Sequence, residues 1–74
     1  MYLIFAYEEN KSSGGAYDIV NTFGTLEESL MWIYERAYLD GEKFMLGVDR
    51  YNCVHIYDTT SDYIIWTQKN YIVL

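Results

Sequence analysis

The sequence predicts an α+β fold: one small domain, residues 1–74, in the order ββαβββ, with one helix packed on a mostly antiparallel sheet. Three observations predict it. A chain of 74 residues has the size of one small domain. One segment, Thr25 to Leu39, carries both a helix start and a helix stop. The remainder is cut by turn-forming residues into short runs rich in β-branched and aromatic side chains.

Tyr2 to Glu8 reads as the first strand by its length and its content of Ile, Phe and Tyr. The segment Asn10-Lys11-Ser12-Ser13-Gly14-Gly15 reads as a loop, because its glycines accept positive φ and its polar residues favour turns. A second strand, Tyr17 to Phe23, then pairs antiparallel with the first. Thr25-Leu26-Glu27-Glu28 reads as a capping box: the Thr25 hydroxyl accepts from the Glu28 N–H while the Glu28 carboxylate reaches back to the Thr25 amide. Glu27 and Glu28 also place negative charge at the positive end of the helix dipole. The helix is expected from Leu26 to about Leu39, with Asp40-Gly41 as its left-handed stop. Three strands follow, Lys43 to Asp49, Cys53 to Asp58 and Tyr63 to Lys69, separated by turns at Arg50-Tyr51-Asn52 and Thr59-Thr60-Ser61-Asp62. Asn70 is expected to break the last strand before the apolar tail Tyr71-Ile72-Val73-Leu74.

Hydrophobic residues make up 51% of the chain and charged residues 22%, a balance that folds. Helical phase puts Leu26, Leu30, Ile33 and Ala37 on one stripe facing the sheet, with Tyr34 beside it. Trp32 and Leu39 fall nearly opposite, near Glu28 and Glu35. Strand alternation puts Val54 and Ile56 on one face and Cys53, His55 and Tyr57 on the other, and sets Leu3, Phe5 and Tyr7 against Tyr2, Ile4 and Ala6. A helix of about fourteen residues is only ~20 Å long and covers one sheet face. The second face is therefore expected to be tyrosine-rich, partly open and ringed by acids. The alternative is that Ile72–Leu74 and the first loop fold across it.

Five Lys and Arg stand against eleven Asp and Glu, a formal net charge of −6. Scattered cations on an acidic chain build no phosphate-binding footprint, so direct nucleic-acid binding and attachment to anionic membranes are both disfavoured. No apolar run approaches the ~18 residues of a membrane span. The first nine residues lack the basic start and cleavage site of a signal peptide. A single cysteine, Cys53, forms no internal disulfide, and a reduced, cytoplasmic setting is expected.

Cys53 and His55 lie two apart on a strand, the spacing of a thiolate–imidazole pair, but nothing nearby supplies an orienting group or an oxyanion site. One Cys and one His make a poor metal set. Paired carboxylates do acid–base chemistry when burial separates them. Here Glu27 and Glu28 read as cap residues and Asp58 as the start of a turn. No catalytic residue, metal or cofactor is expected.

Gly14-Gly15-Ala16-Tyr17-Asp18, then Phe23-Gly24-Thr25-Leu26-Glu27-Glu28, together with a late strand ending in Asp58, resemble small accessory proteins of bacteriophages and mobile elements. The resemblance covers the first half of the chain. It implies a protein that interferes with a host factor or defence system, and it carries no catalytic residue across. The expected activity is a non-enzymatic binding module, acting in the host cytoplasm, that docks an acidic aromatic surface on a basic host protein. One candidate patch is Trp32, Tyr34, Tyr38 and Leu39 with Glu28 and Glu35. The other is Tyr57, Tyr63 and His55 with Asp58 and Asp62. On this reading Trp32→Ala weakens a partner complex without harming the fold. The alternative function is a homodimer or ring with a structural or ligand-sequestering role.

Overall fold

The computed structural model describes residues 1–8, 15–41, 43–47 and 50–69 of the chain. The expected loop at 10–14, the break at 70 and the tail at 71–74 lie outside the described residues. The elements are β1 (Tyr2–Tyr7), a short 3-10 helix (Gly15–Asp18), β2 (Ile19–Phe23), α1 (Leu26–Arg36), β3 (Ala37–Asp40), β4 (Lys43–Leu46), β5 (Cys53–Asp58) and β6 (Tyr63–Lys69). The fold is α+β as expected, with one strand more than the sequence order gives.

That extra strand comes out of the helix. Sequence placed the end of α1 near Leu39, yet the helix stops at Arg36, and Ala37 turns to extended backbone at φ −78° and ψ 146°. The Gly47 N–H donates to the Arg36 carbonyl (3.1 Å), taking up one of the carbonyls orphaned at the helix end. Residues Ala37–Asp40 then pair antiparallel with β4, from Ala37 opposite Leu46 to Asp40 opposite Lys43. Asp-Gly is a hairpin signal as well as a helix stop. Here Gly41, at φ +66°, opens the turn of a β3–β4 hairpin. An ion pair between the Arg50 guanidinium and the Asp40 carboxylate ties the loop after β4 to this hairpin.

Two further boundaries shift. The strand expected from Tyr17 starts at Ile19, because Gly15–Asp18 winds into the 3-10 turn. The strand expected from Lys43 to Asp49 ends at Leu46, where Gly47 takes φ +68°. Tyr51 returns to bridge Leu46 through paired backbone hydrogen bonds of 2.8 and 3.2 Å.

The main sheet has the order β2-β1-β5-β6 and is antiparallel throughout. In its centre Ile4 faces Ile56 and Ala6 faces Val54, so these four share the inner side. Ile33 of α1 and Leu46 of β4 close over them to make the buried core. Each outer strand carries a bulge. On β2 the register slips between Ile4 and Phe5, and Val20 packs against the core. On β6 it slips between Ile56 and Tyr57, leaving Ile65 as the extra residue.

Candidate docking surface

The Thr25 cap forms, but the return contact of the expected capping box reaches the Thr25 hydroxyl and not its backbone amide. The Glu28 N–H donates to the Thr25 hydroxyl oxygen (3.2 Å), and that hydroxyl donates to the Glu28 carboxylate (2.9 Å). Ser29, fully buried, donates its hydroxyl to the Thr25 carbonyl (3.1 Å), which satisfies a polar group that would otherwise be costly in the core. Helix phase is thereby fixed: Leu26, Ser29, Leu30 and Ile33 face the sheet.

The two aromatic residues placed together on this helix are separated by it. Trp32 is not the exposed anchor that its phase suggests. It is half-buried, packs against the core, lies 6.3 Å from the ring of Phe23 on β2, and carries the Arg36 guanidinium 4.5 Å above its own ring. The Arg36 guanidinium also donates to the Trp32 carbonyl (3.2 Å), in the last turn where a cation suits the helix dipole. Tyr34 leaves the opposite flank, toward β6, and meets Trp66 edge-on at 6.3 Å. Trp32→Ala therefore removes core packing as well as surface.

Between those flanks lies the solvent side of α1. Glu27, Glu28, Met31, Tyr34 and Glu35 are all exposed there. At about 100° per residue they span an arc of about 120°, with Met31 at its middle. Met31 is 63% exposed and Tyr34 62%. Glu27 and Glu28 stand one turn before Met31, and Tyr34 and Glu35 one turn after, so the thioether sits inside a frame of three carboxylates and a phenol. Among the described residues neither Glu27 nor Glu35 forms an ion pair, and none of the cations Arg36, Lys43 and Arg50 belongs to this arc. Composition does not single out Met31, one of three methionines beside nine tyrosines. Helical phase alone finds it. Where the helix ends, β3 carries on with Tyr38 and Leu39, both exposed, Leu39 at 72%.

The second candidate patch does not form one surface. Tyr57 lies opposite Leu3 and Ile64 on the outer side of the sheet, whereas Asp58 lies opposite Tyr2 and Tyr63 on the inner side, at the strand end. Asp58 and Asp62 belong to a turn. The Asp58 carboxylate accepts from the Thr60 N–H (3.0 Å) and from the Ser61 hydroxyl (3.0 Å), and the Asp58 carbonyl accepts from the Asp62 N–H (2.8 Å). The Thr60 N–H, with further help from Ser61, holds the Asp58 carboxyl below its ordinary value. Asp62 sits in the turn at φ +63°.

The outer side gathers residues that the sequence placed in different strands. The His55 ring stacks on Phe5 (4.9 Å, 19° between planes) and meets Tyr7 edge-on at 6.0 Å. Leu3, Phe5, Tyr7, His55 and Tyr57 are all half-buried on this side. The proposed cover, 72–74 and the first loop, falls outside the described residues. Cys53 shares this side and is buried, in no disulfide, while His55 is engaged with rings. No group of three or more potential metal ligands occurs among the described residues. No helix among them is long and apolar enough to cross a membrane. No protein-family model, curated protein or solved structure matches the chain.

Proposed function

We propose that this chain is a non-enzymatic protein-binding module that docks through the solvent side of α1 onto a partner with a basic surface. The observation that carries the reading is Met31 and Tyr34, each more than three-fifths exposed, framed by Glu27, Glu28 and Glu35. Exposed apolar side chains supply contact energy, and the carboxylates supply orientation and on-rate. The net charge of −6 favours encounter with cationic surfaces over the whole molecule. The resemblance to phage and mobile-element accessory proteins adds a setting, the host cytoplasm, and a role, the inhibition or redirection of a host protein.

The test is affinity capture from a bacterial host extract with the native chain and with Met31→Ser/Tyr34→Ala. The variant is expected to weaken the captured complex by more than ~2 kcal/mol, about thirtyfold, while losing no more than about 1.5 kcal/mol of its own stability through the Tyr34–Trp66 contact. Equal capture by both chains removes the helix from consideration.

A second reading, self-association, is favoured by one separate observation. β6 is an outer strand of the sheet, and its first residues are exposed and apolar, Tyr63 at 71% and Ile64 at 58%. An uncovered strand edge is a template for a second strand. Sedimentation across a concentration series decides it: a constant monomer mass ends this reading.

A further inference from the structure

We infer that the segment recognised by α1 is a basic helix of another protein, one that presents an apolar side chain with arginine or lysine about one turn to either side, and not a second copy of this chain. The inference rests on the docking role just proposed for α1 and adds the chemistry of its occupant. Two helices lie side by side when the ridge of one enters the groove of the other, at ~8–10 Å between axes. On α1 the residues around Met31 leave room for one such contact: the thioether at the centre, with Glu27, Glu28, Tyr34 and Glu35 at the corners. Neighbours three and four apart on a helix are ~5–6 Å away, so the outermost acids, eight residues apart, span about 12 Å along the axis. A facing helix matches this frame with a leucine or similar residue over Met31 and cations one turn before and after it. Arginine suits it best, because its planar fork pairs with carboxylates and its face stacks on the Tyr34 ring.

The same frame argues against self-pairing. Two copies of α1 face to face set Glu27, Glu28 and Glu35 against the same three acids. None of the cations among the described residues lies in the arc to offset them. Like charges across a contact cost specificity and on-rate together.

The probe is a synthetic amphipathic helical peptide with a central leucine bracketed by arginines one turn away. Its controls are the same peptide with glutamine, and with glutamate, in place of arginine. Each is titrated into the isotope-labelled protein and followed by amide NMR. The arginine peptide is expected to shift residues 27–35, and to bind at least about tenfold more weakly to Glu27→Gln/Glu35→Gln. Glu28 is left in place because it caps the helix. The glutamine peptide is expected to bind more weakly, and the glutamate peptide not at all. Equal binding of all three peptides at residues 27–35 overturns the basic-helix inference while leaving α1 a docking surface. Shifts confined to the outer side of the sheet, at Phe5, His55 and Tyr57, overturn both. Absence of binding by the arginine peptide at low salt overturns the inference, as does concentration-dependent broadening of residues 27–35 without peptide, the sign of self-pairing.

Discussion

On the inner side of the sheet Ile4, Ala6, Val54 and Ile56 meet Ile33 of α1 and Leu46 of β4 and lose essentially all contact with solvent. On the outer side Leu3, Phe5, His55 and Tyr57, from the same two strands, are only half-buried. The two sets alternate residue by residue along β1 and β5, so strand propensity and position in the chain do not distinguish them. Among the described residues, what differs is the covering layer. The helix and the β3–β4 hairpin both close on the inner side, and apolar character becomes burial only where a second element arrives to complete it.

The largest effect is expected from the inner side. Ile56→Ala should lower unfolding free energy by ~2–5 kcal/mol, because the cavity is closed on every side. Phe5→Ala, directly across the sheet, should cost less than about half as much even though it removes more atoms, since that ring is already partly solvated. Urea denaturation of both variants measures the contrast, and equal losses would mean that the outer side is a second core.

A middle effect concerns the hairpin that closes over the inner side. Gly41→Ala should cost about 1 kcal/mol, because φ +66° is strained for any residue with a Cβ. The added methyl itself meets nothing within 4 Å, so conformational strain is the whole of that cost. Thr25→Ala should cost a similar amount, about 1 kcal/mol, through loss of the helix cap. Thermal unfolding of the two variants resolves whether hairpin and helix support the inner side equally. Met31→Ala, on the uncovered arc, should change stability by less than about 0.5 kcal/mol in the same assay.

The smallest effect is set by pH at the turn joining β5 to β6. Asp58 is held below its ordinary value, so its stabilising contribution is complete above the usual carboxylate range. That contribution is lost as pH falls through the depressed value. The protection factor of the Thr60 amide, its exchange rate relative to the intrinsic rate at the same pH, should therefore fall in acid in the native chain. In Asp58→Ala it should already be low at neutral pH, with only the chemical dependence of the rate on pH left.

The parts legible in sequence are those set by local chemistry. The limits of β5 and β6 agree with the expected Cys53–Asp58 and Tyr63–Lys69, because turn residues bracket β-prone runs. The Thr25 hydroxyl also accepts from the Glu28 N–H as expected. Ambiguous signals account for the misses. Asp40-Gly41 serves equally as a helix stop or a hairpin turn, and only the pairing of Ala37–Asp40 with Lys43–Leu46 decides between them. Trp32 lies off the apolar stripe in helical phase, but a ring this size reaches round to Phe23 at the sheet edge, and no periodicity encodes that reach. The second patch failed because adjacent residues of a strand, Tyr57 and Asp58, necessarily point to opposite sides.

The two indoles flank α1 in unlike company, Trp32 beside a cation and a phenyl ring, Trp66 beside the hydroxyphenyl group of Tyr34. This gives the molecule a paired optical gauge. Quenching or a wavelength change at Trp66 would report occupancy next to Tyr34, while emission from Trp32 would track whether the interior stays packed. Single Trp→Phe replacements would separate the two channels, so that docking and unfolding are read independently in one cuvette without any added dye.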